Sequence, residues 1–174
     1  MQMLNRYFAP FALILILSAI WFNVENPADV RNWDASYKLA LGILAVSIAV
    51  NWWVGKNTYR FIHWAHQMRL AQVWLNFIWA VPLFYLLQPF WGPMWLLFVM
   101  APATSALIMD RWHTLATACV SAATMLAIYY YRGVFDGGPA AGMVCVHAAF
   151  IIVFSLFVNG MAQMALRMRD ANLG

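Results

Sequence analysis

Residues 78–98 read IWAVPLFYLLQPFWGPMWLLF, an uncharged run with three prolines, three tryptophans, three phenylalanines and one tyrosine. Gln88, Pro89, Gly92 and Pro93 supply a turn, and the arms on either side are apolar enough to enter lipid. The run therefore reads as a hairpin of two membrane spans with large rings at its bend. Pro82 and Pro102 fall inside the two arms. Each removes a backbone hydrogen bond and tends to kink its helix, which opens space between neighbours. The same features also suit one wall of a pocket for a small apolar ligand, and proline is common in membrane helices in any case.

The whole chain has this character. It has 174 residues, 65% hydrophobic and 9% charged, with a mean hydropathy of +0.71. Soluble domains carry about 25% charged residues, so the bilayer is the solvent this composition asks for. In lipid the backbone must satisfy its own hydrogen bonds, which leaves helices or a closed barrel. The apolar runs lie at about residues 7–22, 38–54, 70–88, 93–109, 112–131 and 140–165. Their lengths suit helices, which need about 20 residues to span. The expectation is an all-α polytopic membrane protein with six transmembrane helices, forming one domain over residues 1–174. The first run follows Arg6, but bulky Trp21 and Phe22 stand where a signal peptide would carry small residues, so it reads as a retained helix.

Positive charge sets the orientation. With the N-terminus inside, Arg6, Lys56, Arg60, Arg69, Arg111, Arg167 and Arg169 face inward against Asp110 and Asp170. Arg31, Lys38 and Arg132 face outward against Glu25, Asp29, Asp34 and Asp136. The excess is inside, so both termini are expected there, in a bacterial-type inner (plasma) membrane. Anionic lipid accounts for the net charge of +4, and no nucleic-acid partner is expected.

The segment GKNTYRFIHWAHQMR (55–69) places Lys56, Arg60, His63 and Gln67 on one helical face, as an amphipathic helix at the inner surface would. The acidic stretch NVENPADVRNWDAS (23–36) is the one sizeable outer loop. Cys119 and Cys145 fall at depths that differ by roughly 12 Å at about 1.5 Å per residue. Bridged Cα atoms lie within about 7 Å, so two free thiols are expected.

The chemistry-bearing residues are few. No span holds paired carboxylates, and there is no phosphate-binding loop, H-E-x-x-H or nucleophile elbow. The chain reads as a non-enzyme, with no catalytic residue, no metal site and no cofactor. Polar groups inside spans need partners, since they are costly in lipid. They include Gln72 and Asn76, Thr104 and Ser105, Thr117, Ser121 and Thr124, and His147, Ser155, Asn159 and Gln163. Interhelical hydrogen bonding is one reading of them, and polar contacts fixing a ligand in an apolar pocket is the other. His147 lacks a second histidine at matching depth, which speaks against haem. The small pairs Ala101/Ser105 and Ala118/Ala122 allow close helix approach, within the bundle or in a dimer. Most tryptophans sit where an interfacial belt would hold them, but Trp79 is mid-span, and a buried indole N–H wants a partner. Phe84, Tyr85, Phe98, Phe150 and Phe154 are also deep, facing either lipid or a ligand.

Two families share local patterns with this chain. VPLFY (81–85), QPFWGP (88–93), MWLLF (94–98), MDRWHT (109–114) and FVNGMAQ (157–163) resemble, over roughly residues 70–170, the six-helix receptor domain of the α-hydroxyketone quorum-sensing histidine kinases. That resemblance implies a sensor whose ligand pocket is shaped by the fourth-helix tryptophan and the last helix, here Trp95 and Phe98 with Phe154, Asn159 and Met161. Those kinases run on far past the last helix, whereas this sequence ends at RMRDANLG, so an isolated sensory module or a separate cytoplasmic signalling partner is expected. QVWLNFIWAVPLF (72–84) is similar to the third helix of the translocator-protein family, which has five spans and a proline-rich segment lacking here.

Together these readings favour a membrane receptor that binds a small apolar signal molecule among its third, fourth and sixth helices, with a homodimer or a cytoplasmic protein as partner. The candidate ligand contacts are Asn76, Trp79, Trp95, Phe98, His147, Phe154 and Asn159. The alternatives are a translocator-type transport protein binding a tetrapyrrole or lipid, and a structural subunit of a larger membrane complex.

Overall fold

The structure is a computed structural model that describes residues 2–23, 35–57, 65–87, 92–136 and 138–171. The acidic loop (24–34), residues 58–64 of the expected amphipathic segment with His63 among them, and the turn at 88–91 lie outside the described residues. The described chain is all-α, with six helices: α1 Gln2–Asn23, α2 Ala35–Asn57, α3 Ala65–Leu87, α4 Leu97–Ile108, α5 Arg111–Tyr131 and α6 Gly138–Ala171. Four windows are long and apolar enough to cross a membrane: Tyr37–Val54, Leu70–Leu87, Arg111–Tyr131 and Pro139–Arg169. Pro10–Ala19 and Gly92–Ile108 are shorter apolar stretches. Only 22% of the Pro139–Arg169 window is buried. Val146, Val153, Phe157 and Met164 there face outward, as suits a helix in lipid. The chain has the features of a helical multi-pass membrane protein.

Contacts divide the chain into two compact units, Met1–Leu97 and Phe98–Gly174. In the first, α2 packs on both α1 and α3. The inward faces follow helical periodicity: Ala12, Leu15, Ile16 and Ala19 on α1, and Ala40, Leu44, Ser47 and Asn51 on α2. Val73, Asn76, Ala80, Leu83, Phe84 and Leu87 form the buried stripe of α3. A polar bridge crosses this apolar packing, from Asn51 Nδ2 to Asn76 Oδ1 at 3.2 Å. The serine hydroxyls close locally instead. Ser18 and Ser47 donate to the carbonyls of Leu15 and Leu44, both at 2.8 Å.

The fourth run was expected as one helix over 93–109. It opens instead as a 3₁₀ turn, Gly92–Leu96, before α4 begins. Pro93 has no N–H to continue an α pattern and its ring favours the tighter entry.

In the second unit α5 and α6 make the most extensive contact. Thr114, Thr117, Ala118, Ser121, Ala122 and Met125 on α5 are buried, as are Val144, Ala148, Ile151, Ser155 and Asn159 on α6. The small residues at the centre of these stripes let the two backbones approach. The helices run antiparallel, because Thr114 at the start of α5 meets Asn159 in the C-terminal half of α6. Gly133, at φ 71°, ends α5. This left-handed conformation suits glycine and lets its N–H donate to the Tyr130 carbonyl at 3.0 Å. At about 1.5 Å per residue α6 is about 50 Å long, so it projects past α5, and residues 163–169 are all exposed. Cys119 and Cys145 are free and exposed.

Candidate functional site

Three of the expected ligand contacts lie in the first unit and four in the second. Asn76 and Trp79 are one turn apart on α3, and Trp95 is half-buried in the 3₁₀ turn, which packs on α3. Asn76 is buried and bonded to Asn51. Trp79 is different. Its indole N–H is buried, yet among the described residues it has no hydrogen-bond partner. A donor left unpaired in apolar surroundings costs about 1–3 kcal/mol, so its retention calls for a reason. Pro82 lies inside α3 and has no N–H for the carbonyl of Ile78, one position before Trp79. No side-chain donor reaches that carbonyl among the described residues. Around Trp79, then, α3 has one unmet donor and one acceptor released from the helical ladder. On the preceding turn Trp74 and Phe77 pack edge to face, with ring centres 5.9 Å apart.

In the second unit, Phe98 is fully buried and its carbonyl is part of a repair. Pro102 removes the N–H that would meet this carbonyl in α4. The hydroxyl of Ser121, from α5, donates to it at 2.6 Å. Asn159 is likewise committed to the backbone. Its Nδ2 group lies 2.8 Å from the Ala106 carbonyl, 2.9 Å from the Met109 carbonyl and 3.3 Å from Thr114 Oγ1. The last carbonyls of a helix have no internal partner, and here a side chain two helices away serves them. Thr114 Oγ1 in turn donates to the Asp110 carbonyl at 3.0 Å. The α4–α5 corner is thus tied to α6 by a satisfied polar network. His147 is half-buried on α6, and Phe154 is half-buried and stacks on exposed Phe150 at 5.4 Å.

A second feature was not foreseen in the sequence. An open cleft of about 890 Å³ lies at this corner, with Arg111, Arg167, Asn159 and Gln163 as its polar lining and Leu156 and Met164 as its apolar lining. Asp110 also lines it, but its carboxylate is hydrogen-bonded to His113 Nδ1. That bond holds the Asp110 carboxyl below its ordinary pKa of 3.8, with the imidazole charge and backbone N–H groups at the start of α5 adding to the effect. Arg111 lies over the ring of Trp112, 5.5 Å from its centre. The spacing of Arg111 and Arg167 in sequence hides their meeting, which depends on the antiparallel pairing of α5 and α6. No protein-family model, curated protein or solved structure matches this chain.

Proposed function

We propose that the chain is a non-enzymatic sensory domain with six membrane spans, α1 and the Gly92–Ile108 stretch among them. In this reading both termini lie on the inner side of a bacterial-type inner membrane, and a small apolar signal is relayed to a cytoplasmic output. The observation that carries the reading is the buried, unpaired indole N–H of Trp79 on α3. A ligand pocket is mainly apolar, with a few polar groups that fix orientation. Trp79 supplies a buried donor without a partner among the described residues, which an incoming acceptor would satisfy. The released Ile78 carbonyl beside it would take a hydroxyl. A medium-chain α-hydroxyketone offers both groups on an apolar tail, in keeping with the receptor resemblance of residues 70–170. The ligand would switch output only by binding one packing of the helices more tightly than another. The exposed end of α6, with Arg167 and Arg169, is the segment suited to present that change to a partner.

The test is a thermal-shift titration of the purified full chain in detergent, with medium-chain α-hydroxyketones and, for comparison, porphyrins. A ligand that binds only the folded state raises its melting temperature saturably. The expected result is a rise with the ketones that weakens in Trp95→Ala. A rise with porphyrins alone would replace this reading with the translocator-type one, and no rise with either would remove both.

A further inference from the structure

We infer that the cleft at the α4–α5 corner binds the phosphate group of an anionic amphiphile, independently of any ligand at α3. Two guanidiniums, Arg111 and Arg167, line this cleft against one carboxylate, Asp110, which is already engaged by His113. Among the described residues neither arginine has a carboxylate partner. Arginine forks match phosphate oxygens in pairs, and such charge-assisted bonds are about twice as strong as neutral ones. Gln163 adds a neutral donor on the same wall.

The apolar side of the cleft selects the class of ligand. Leu156 and Met164 share its lining with the arginines, and Phe157 and Met161 continue outward-facing apolar surface along α6. A phosphate joined to acyl chains would satisfy both at once, with its head between the arginines and its chains along α6. Basic pockets between membrane helices bind anionic headgroups in this manner. Asn159 sets the floor of the site, because its amide fixes the α4–α5 corner against α6 and so holds Arg111 and Arg167 in one cleft.

The test uses the full chain in neutral detergent, with bound lipid read by native mass spectrometry during titration with phosphatidylglycerol, phosphatidylcholine or inorganic phosphate. Phosphatidylglycerol is expected to bind in preference to phosphatidylcholine. Arg111→Gln combined with Arg167→Gln should weaken that binding by roughly tenfold or more. Arg169→Gln, which removes the same charge outside the cleft, should leave it unchanged. Displacement of the lipid by millimolar inorganic phosphate would keep the site and assign it to a free phosphate compound. Equal binding of the two lipids, equal binding by the double variant, or equal loss in Arg169→Gln would overturn the inference.

Discussion

α3 and α4 each contain a proline, and the chain treats the two breaks in opposite ways. Pro102 releases the carbonyl of Phe98, a fully buried residue, and Ser121 from α5 takes it at 2.6 Å. Pro82 releases the carbonyl of Ile78, a residue 57% exposed, and no side chain replaces the lost donor among the described residues. One position on, the Trp79 indole N–H is also unmet. The carbonyl released in α4 is met by a side chain from α5, whereas among the described residues no side chain replaces the donor lost at Ile78 and none pairs with the Trp79 indole. Closed networks hold a shape and open groups wait for a partner. In the proposed reading, this contrast puts rigidity at the α4–α5 corner and recognition on α3.

The largest effect is expected at the corner. Asn159→Leu leaves the Ala106 and Met109 carbonyls without their side-chain donor, and buried unmet carbonyls cost about 1–3 kcal/mol each. Reversible unfolding in mixed micelles should show it as the most damaging of these substitutions. A loss below about 1 kcal/mol would mean that water or lipid serves those carbonyls equally well.

Ser121→Ala should cost about 1–2 kcal/mol, for the same reason at one carbonyl. The sharper measurement is its combination with Pro102→Ala, which restores the N–H that α4 lacks. In that background the cost of Ser121→Ala should shrink to about 0.5 kcal/mol or less. Strict additivity of the two substitutions would show that the serine does not serve the proline's break.

On α3 the sign should reverse. Trp79→Phe keeps a ring and removes the unpaired donor, so stability without ligand should stay equal or rise slightly, while ligand binding weakens. A clear loss of stability in the free protein would reveal a partner for the indole and abolish the contrast with α4.

Acid should produce the smallest change. Asp110 has its folded pKa below the ordinary value, chiefly through its bond with His113. Such a group stabilises the fold above its unfolded pKa, and the contribution fades as pH falls from about 4 through the folded value. The group is fully exposed, so the change should be slight. Asp110→Asn should flatten what there is of it, and an unchanged acid profile would show that the His113 contact carries no stability.

Much of the fold was legible because apolar run length and punctuation speak directly. Asp110 and the Arg132–Gly133 pair bracket α5, so its expected span of 112–131 falls within one residue of Arg111–Tyr131. α1 and α6 extend beyond their apolar runs, because helix continues through polar residues that hydropathy excludes. The 3₁₀ entry to α4 was written in Gly92–Pro93 but masked by the apolar residues after it. The site was less legible. Asn76 and Asn159 could be marked as polar groups needing partners. Which group each would meet depends on helix pairing, which no single helix encodes. That Pro102 releases the Phe98 carbonyl follows from spacing alone, and that Ser121 answers it does not. Nothing in the sequence pairs Arg111 with Arg167, and their shared cleft comes with the antiparallel pairing of α5 and α6.

The most direct test of the contrast reads the indole of Trp79 itself. In the full chain labelled with ¹⁵N-tryptophan, the Trp79 indole N–H signal is identified by its loss in Trp79→Phe. Without ligand it should lie at the position of an unbonded indole. On saturation with a medium-chain α-hydroxyketone it should move downfield, more than the other tryptophan signals. A signal already at the bonded position in the free protein, or one unmoved at saturation, would contradict the claim that α3 holds an open donor for a ligand.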